Sequence, residues 1–99
     1  MERTLENLQK VFDGKIYLYL KDAETEKQFT ADAEAEGYSF GKVKPADSPA
    51  DNIIAVGADK QLSHVGAVGR MAFQAADSYV TRIDYAAYKS GAEDYIYKS

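Results

Sequence analysis

Residues 15–41 read KIYLYLKDAETEKQFTADAEAEGYSFG and decide most of the fold. The stretch opens with an alternation of isoleucine or leucine with tyrosine over residues 16–20. Large side chains on both faces of one short run are typical of a strand inside a sheet. The pattern therefore predicts a central strand at this position.

A helix is predicted directly after that strand. Asp22 can cap its first turn, and Gly37 supplies the usual glycine stop. Phe29 and Ala33 form a narrow apolar stripe, so the charged side chains must largely face water. The helix therefore has an acidic outer side, which carries Glu24, Asp32, Glu34 and Glu36.

Shorter signals predict the remaining elements. Thr4 begins an amphipathic helix that ends near Gly14, and capping and glycine signals predict a C-terminal helix between Asp84 and Gly91. A weaker helical period covers residues 67–76. Strands are predicted over residues 38–43, 53–56, 61–65 and 79–83, with a polar turn at 57–60, a loop at 45–49 and an irregular tail from residue 92.

This order of elements predicts one compact α+β domain over residues 1–99, with helices packed on a mixed or antiparallel sheet of about five strands. The chain has 99 residues, of which 45% are hydrophobic and 28% charged, as expected for one soluble domain. It has no cysteine, no run long enough to span a membrane and no apolar signal segment after Met1. We expect a cytoplasmic protein without disulfides, cofactors or membrane contact.

The net charge is −4 and the isoelectric point is near 4.9. Direct binding to nucleic acid depends mainly on lysine and arginine, so this composition argues against it. An acidic surface suits a basic protein partner, although it can also serve solubility alone.

A possible anion site follows the predicted 61–65 strand. Gly66 and Gly69 open a helix whose free N–H groups can hold a phosphate or carboxylate, with Arg70 and His64 as further ligands. The spacing matches neither a dinucleotide fingerprint nor a P-loop. The alternative is that the glycines allow close helix packing and that Arg70 pairs with a nearby carboxylate.

His64 is the only histidine of the chain. An imidazole suits proton transfer at neutral pH, but no serine or carboxylate stands at a spacing that enforces a dyad or triad. One histidine also excludes an all-histidine metal site. Asp32, Glu34 and Glu36 point in different directions around a helix and match no calcium-loop pattern, so neither catalysis nor metal binding is predicted.

Eight tyrosines are present, and four of them crowd the last fifteen positions. Tyrosine is enriched at recognition surfaces because it supplies a large contact area at low entropy cost. The predicted partner-binding surface therefore combines the acidic helix with this end of the chain, through Glu24, Asp32, Glu34, Tyr85, Tyr88, Tyr95 and Tyr97. The alternatives are that the rings close the open end of the sheet and that the carboxylates form a solvated face.

The strand and helix of residues 16–37, the segment YSFG at 38–41 and the segment GRMAF at 69–73 resemble short proteins of bacteriophages and mobile elements of Gram-positive gut bacteria. The likeness covers most of the chain and includes no functional motif. It implies an inhibitor of host defence, of the kind to which anti-CRISPR proteins belong.

Two hypotheses follow. The first is a non-enzymatic protein, monomeric or homodimeric through the edge at residues 61–65, that inhibits a nucleic-acid-handling host protein by direct binding. The second is a binder of a nucleotide-like anion at Gly66, Gly69 and Arg70. A hydrolase or transferase that uses His64 is a third, minor option.

Overall fold

The computed structural model describes residues 3–12, 16–48, 52–65, 71 and 81–97. The helices in these ranges are α1 (Leu5–Val11), α2 (Ala23–Ala35) and α3 (Tyr85–Ser90). The strands are β1 (Ile16–Tyr19), β2 (Ile53–Val56), β3 (Leu62–His64) and β4 (Thr81–Asp84). Short 3₁₀ turns occupy Pro45–Asp47 and Ala58–Lys60.

The four strands form one mixed sheet in the order β3-β2-β1-β4. β1 pairs antiparallel with β2 and parallel with β4, while β2 and β3 form an antiparallel hairpin. The predicted α+β class, the central position of the first strand and the hairpin are confirmed.

The predicted helix boundaries rest on local hydrogen bonds that the structure contains. Thr4 accepts from the Asn7 N–H at 3.0 Å, Asp22 from the Thr25 N–H at 2.8 Å, and Asp84 from the Ala87 N–H at 3.3 Å. Two glycines end helices in the left-handed conformation that favours them, with φ of 81° at Gly37 and 91° at Gly91.

The predicted strand over residues 38–43 is wrong. Phe40 and Val43 exchange two backbone hydrogen bonds of 2.9 Å around Gly41, whose φ is 61°. The chain therefore turns back after Ser39, which bridges to Gln61, and residues 38–43 form no ladder with another described segment. The described sheet has four strands instead of five.

Two further differences concern loops. The segment at 45–49 contains the 3₁₀ turn Pro45–Asp47, whose proline at the first position suits such a turn. The tail pairs with β4, because the Asp84 N–H donates to the Tyr95 carbonyl at 2.8 Å and the Tyr97 N–H to the Arg82 carbonyl at 3.0 Å. This pairing covers the outer edge of β4 over those residues.

The first helix ends at Val11 and the chain is extended at Phe12, so the helix stops before the predicted Gly14. Several other predictions lie outside the described residues. These are the anion ligands Gly66, Gly69 and Arg70, the start of the last strand at 79–80, and the helix at 67–76 except Met71. Met71 is helical and exposed.

The core lies between one face of the sheet and the three helices. On the sheet side it is formed by side chains that share register across neighbouring strands, namely Ile16, Leu18, Ile54, Val56, Leu62 and Ile83. The helices add Leu5, Leu8, Phe29, Ala33, Tyr85 and Tyr88. Tyr38 also enters the core directly after α2, which brings the end of that helix against α1.

Candidate functional site

The acidic residues of α2 differ in what they contact, and Asp32 is bound within the fold. It accepts a 2.5 Å hydrogen bond from the Tyr85 hydroxyl and two bonds from Gln28. The Lys89 ammonium lies 3.6 Å away. Asp32 thus links α2 to α3, and its carboxylate is the hydrogen-bond partner of a hydroxyl on a fully buried residue.

Glu36 and Glu34 bind backbone groups of other segments. Glu36 accepts from the Leu5 N–H at 2.9 Å and the Glu6 N–H at 3.0 Å, so it satisfies two free donors at the start of α1. Glu34 accepts from the Ala46 N–H at 3.1 Å. Both side chains have structural partners that sequence spacing did not reveal.

Glu24 and Glu26 differ from these three residues. Neither side chain forms a hydrogen bond or ion pair with any part of the chain that the structure describes. Glu24 is exposed and Glu26 is partly exposed, in the first turn of α2. Their charges therefore remain available at the surface.

Two of the four tyrosines predicted to contact a partner are interior residues. Tyr85 is 0% exposed and Tyr88 is 4% exposed. Burial raises the pKa of both phenols, and the Asp32 carboxylate adds to the effect on Tyr85. The Tyr88 hydroxyl donates to the Thr4 carbonyl at 2.6 Å. The predicted docking surface must therefore be corrected, because these rings pack the core.

Tyr95 and Tyr97 are partly exposed. The Tyr95 ring packs edge-on against Tyr88 with centroids 5.0 Å apart, and the Arg3 guanidinium lies 5.2 Å from both rings. The Tyr97 ring lies on the other side of the sheet, 4.6 Å from Tyr19. Since both residues belong to the segment that pairs with β4, the geometry supports the alternative in which they close the sheet.

A groove of about 520 Å³ lies between α2 and the loop that follows it. Its apolar lining consists of Leu20, Phe29, Phe40, Pro45, Ile54 and three alanines, Ala23, Ala31 and Ala46. The polar lining consists of Glu26, Lys27, Thr30, Glu34 and Ser48. The size and composition are those of sites that bind ligands in proteins.

The loop wall of this groove is held at two places. The Glu34 carboxylate binds the Ala46 N–H on the helix side, as described above. On the sheet side, His64 Nε2 lies 2.7 Å from the Ser48 hydroxyl, and its ring stacks on Phe40 with centroids 4.5 Å apart. These contacts place His64 beside the groove and connect the loop to α2 and β3.

Sequence spacing did not reveal the Ser48–His64 contact, because sixteen positions and a hairpin separate the two residues. A serine hydroxyl within hydrogen-bond distance of an imidazole is also the arrangement in which a histidine can activate a serine as a nucleophile. The other predicted anion ligands, Gly66, Gly69 and Arg70, lie outside the described ranges.

Within the described ranges, no group of three histidine, aspartate or glutamate side chains is placed to hold a metal ion. None of the described helices has the length and apolar character needed to cross a membrane. No family model, curated protein or solved structure matches the chain.

Proposed function

We propose that this chain is a small non-enzymatic interaction protein that binds a basic surface of another protein. The observation that supports it is the unequal use of charge along α2. Asp32, Glu34 and Glu36 are bound within the fold, whereas Glu24 and Glu26 form no hydrogen bond or ion pair with the described residues. A basic partner would supply the missing cations.

The partner proposed is a host protein that handles nucleic acid, such as a component of a defence system. Such proteins carry positive grooves that bind phosphates, and carboxylates can occupy the same positions. The resemblance to proteins of phages and mobile elements supports an inhibitory role in the bacterial cytoplasm. This surface consists of the exposed Glu24 and the partly exposed Glu26, with Tyr95 and Tyr97 as a second contact.

Affinity purification from a lysate of Gram-positive gut bacteria tests the proposal. We expect the tagged protein to retain a nucleic-acid-binding protein at low salt and to release it as the salt concentration rises. The double variant Glu24→Lys with Glu26→Lys should lose this capture. A variant with Glu6→Lys and Glu93→Lys has the same net charge, and it should retain the partner because those exposed carboxylates lie outside α2.

Equal loss of capture by both variants would indicate a general effect of net charge. If neither the wild-type protein nor the control retains a nucleic-acid-binding protein, the proposal is wrong. Circular dichroism of each variant establishes that the fold is retained.

A hydrolase is a second candidate, favoured by the 2.7 Å contact between Ser48 and His64 at the groove. A fluorophosphonate probe forms a covalent adduct with an activated serine hydroxyl. Labelling of the wild-type protein that disappears in both Ser48→Ala and His64→Ala would support this candidate. Absence of labelling would remove this candidate and leave the Ser48–His64 contact as a structural link between the loop and β3.

The nucleotide-like anion site at Arg70 stays a prediction. It is tested by comparing nucleotide binding of the wild-type protein with that of Arg70→Ala.

A further inference from the structure

The groove beside α2 lies next to the acidic residues on which the proposed function depends. Glu26 and Glu34 line it, and its floor is apolar, with Leu20, Phe29 and Ile54. An apolar groove with carboxylates at its border selects a ligand that is apolar in one part and cationic in another. Lys27 is the cation among the lining residues that the structure describes.

Both walls of the groove make contacts within the chain. One wall is α2 itself, and the other is the loop held by the contacts of Ala46 with Glu34 and of Ser48 with His64. The stacking of Phe40 on His64, with 10° between the ring planes, sets the orientation of an aromatic lining residue. A wall that is already held by such contacts loses less conformational entropy when a ligand enters.

We infer that the groove between α2 and residues 40–48 receives one large apolar side chain of the partner protein, flanked in the partner by lysine or arginine. This inference rests on the proposed function and adds the anchor that the acidic surface lacks. Buried apolar anchors carry most of the affinity in protein interfaces, whereas exposed charge pairs mainly accelerate and orient association. The partner segment is therefore recognised by both features together.

Two exposed alanines of the same helix provide a matched pair of variants. Ala31 lines the groove and Ala35 does not, and both lie in α2 with exposed side chains. Ala31→Trp places an indole in the groove, whereas Ala35→Trp adds the same ring one turn closer to the C-terminus of α2, at a position that does not line the groove. Any general effect of an exposed tryptophan is therefore present in both variants.

Three fluorescein-labelled synthetic peptides serve as probes, and binding is measured by fluorescence anisotropy. The first has a central leucine-phenylalanine pair between lysines, the second has glycines in place of that pair, and the third has glutamates in place of the lysines. We expect the first peptide to bind most tightly to the wild-type protein. Ala31→Trp should weaken it about tenfold, as loss of one anchor contact would, and Ala35→Trp less than about twofold.

The outcomes separate the anchor from the acidic surface. Equal binding of the first two peptides, unaffected by Ala31→Trp, would overturn the anchor and leave the charge-based proposal intact. Equal binding of the first and third peptides would overturn the cationic part of the inference. If no peptide binds, the anchor is also overturned, while partner capture and its loss in the Glu24→Lys, Glu26→Lys variant still decide the proposed function.

Discussion

The two ends of α2 carry the same kind of side chain and use it differently. At the C-terminal end, Asp32 and Glu36 bind groups of α3 and α1, and Glu34 binds the loop at Ala46. At the N-terminal end, Glu24 and Glu26 have no such partner within the described residues. Acidic composition therefore does not identify an interaction surface until the internal partners of each carboxylate are known.

The C-terminal carboxylates of α2 also help to hold this helix against the segments around it. Helix α2 has little apolar surface, and its buried residues are Thr25, Phe29 and Ala33. Hydrogen bonds from its C-terminal carboxylates to neighbouring segments supplement this narrow stripe. A charge-assisted bond to a backbone N–H is stronger than a neutral one, so these contacts matter for docking.

Removal of Asp32 should have the largest effect on stability. Asp32→Ala leaves the hydroxyl of the fully buried Tyr85 without its acceptor, and we expect the free energy of unfolding to fall by about 1–3 kcal/mol. Urea denaturation measures this change. In Tyr85→Phe the hydroxyl is absent, so adding Asp32→Ala to that variant should cost less. A value for Asp32→Ala within experimental error of wild type would contradict the structural role of this carboxylate.

Glu36→Ala should have the next largest effect. It removes the acceptor of two N–H groups at the start of α1, and the loss of such a cap costs about 0.5–2 kcal/mol. Glu36→Gln keeps an oxygen acceptor and should cost less than Glu36→Ala. Hydrogen exchange of the Leu5 and Glu6 amides reports the site directly, and unchanged protection in Glu36→Ala would disprove the capping contact.

Tyr38 makes the C-terminal end of α2 sensitive to alkaline pH. Burial, with repulsion from Glu36 and Glu6, raises the pKa of Tyr38 to about 12. An unfolded tyrosine loses its proton near pH 10, so the folded state binds more protons between about pH 10 and 12. The contribution of Tyr38 to stability is therefore complete below about pH 10 and declines as pH rises through that window.

The variant Tyr38→Phe tests the direction of this pH dependence. At about pH 8 the variant lacks the hydroxyl that donates to Gln9 and should be less stable than wild type by about 0.5–1.5 kcal/mol. Urea denaturation at increasing pH should show the gap narrowing above about pH 10, because phenylalanine has no proton to lose. A constant or widening gap would refute the assigned shift.

Neutralising the N-terminal carboxylates should have the smallest effect on stability. Glu24→Gln with Glu26→Gln removes two favourable interactions with the helix dipole and no bond to the described residues, so we expect a loss within about 1 kcal/mol. The same variant should bind the lysine-flanked peptide more weakly. A large loss of stability would show that Glu24 and Glu26 have a structural role like that of Asp32 and Glu36. The two ends of α2 would then not differ in the way described above.

The C-terminal tyrosines also show that residues alike in sequence can differ in burial. Four tyrosines near the C-terminus are alike in sequence, yet Tyr85 and Tyr88 lie in the core and Tyr95 and Tyr97 are partly exposed. Tyr85 and Tyr88 are three positions apart in α3 and share its inner face. That spacing is the signal that could have identified them as core residues before the structure was known.

Local sequence signals were sufficient to predict the helix starts at Thr4, Asp22 and Asp84, the glycine stops at Gly37 and Gly91, and the central place of β1. These features depend on hydrogen bonds and side-chain alternation within a few residues. Packing of the elements, in contrast, establishes which carboxylates of α2 have partners among the described residues, where the groove lies and that residues 38–43 turn back. The partners involved are distant in sequence, since 53 positions separate Tyr85 from Asp32 and 31 separate Glu36 from Leu5. No local pattern encodes such pairs, because they form only when the helices pack on the sheet.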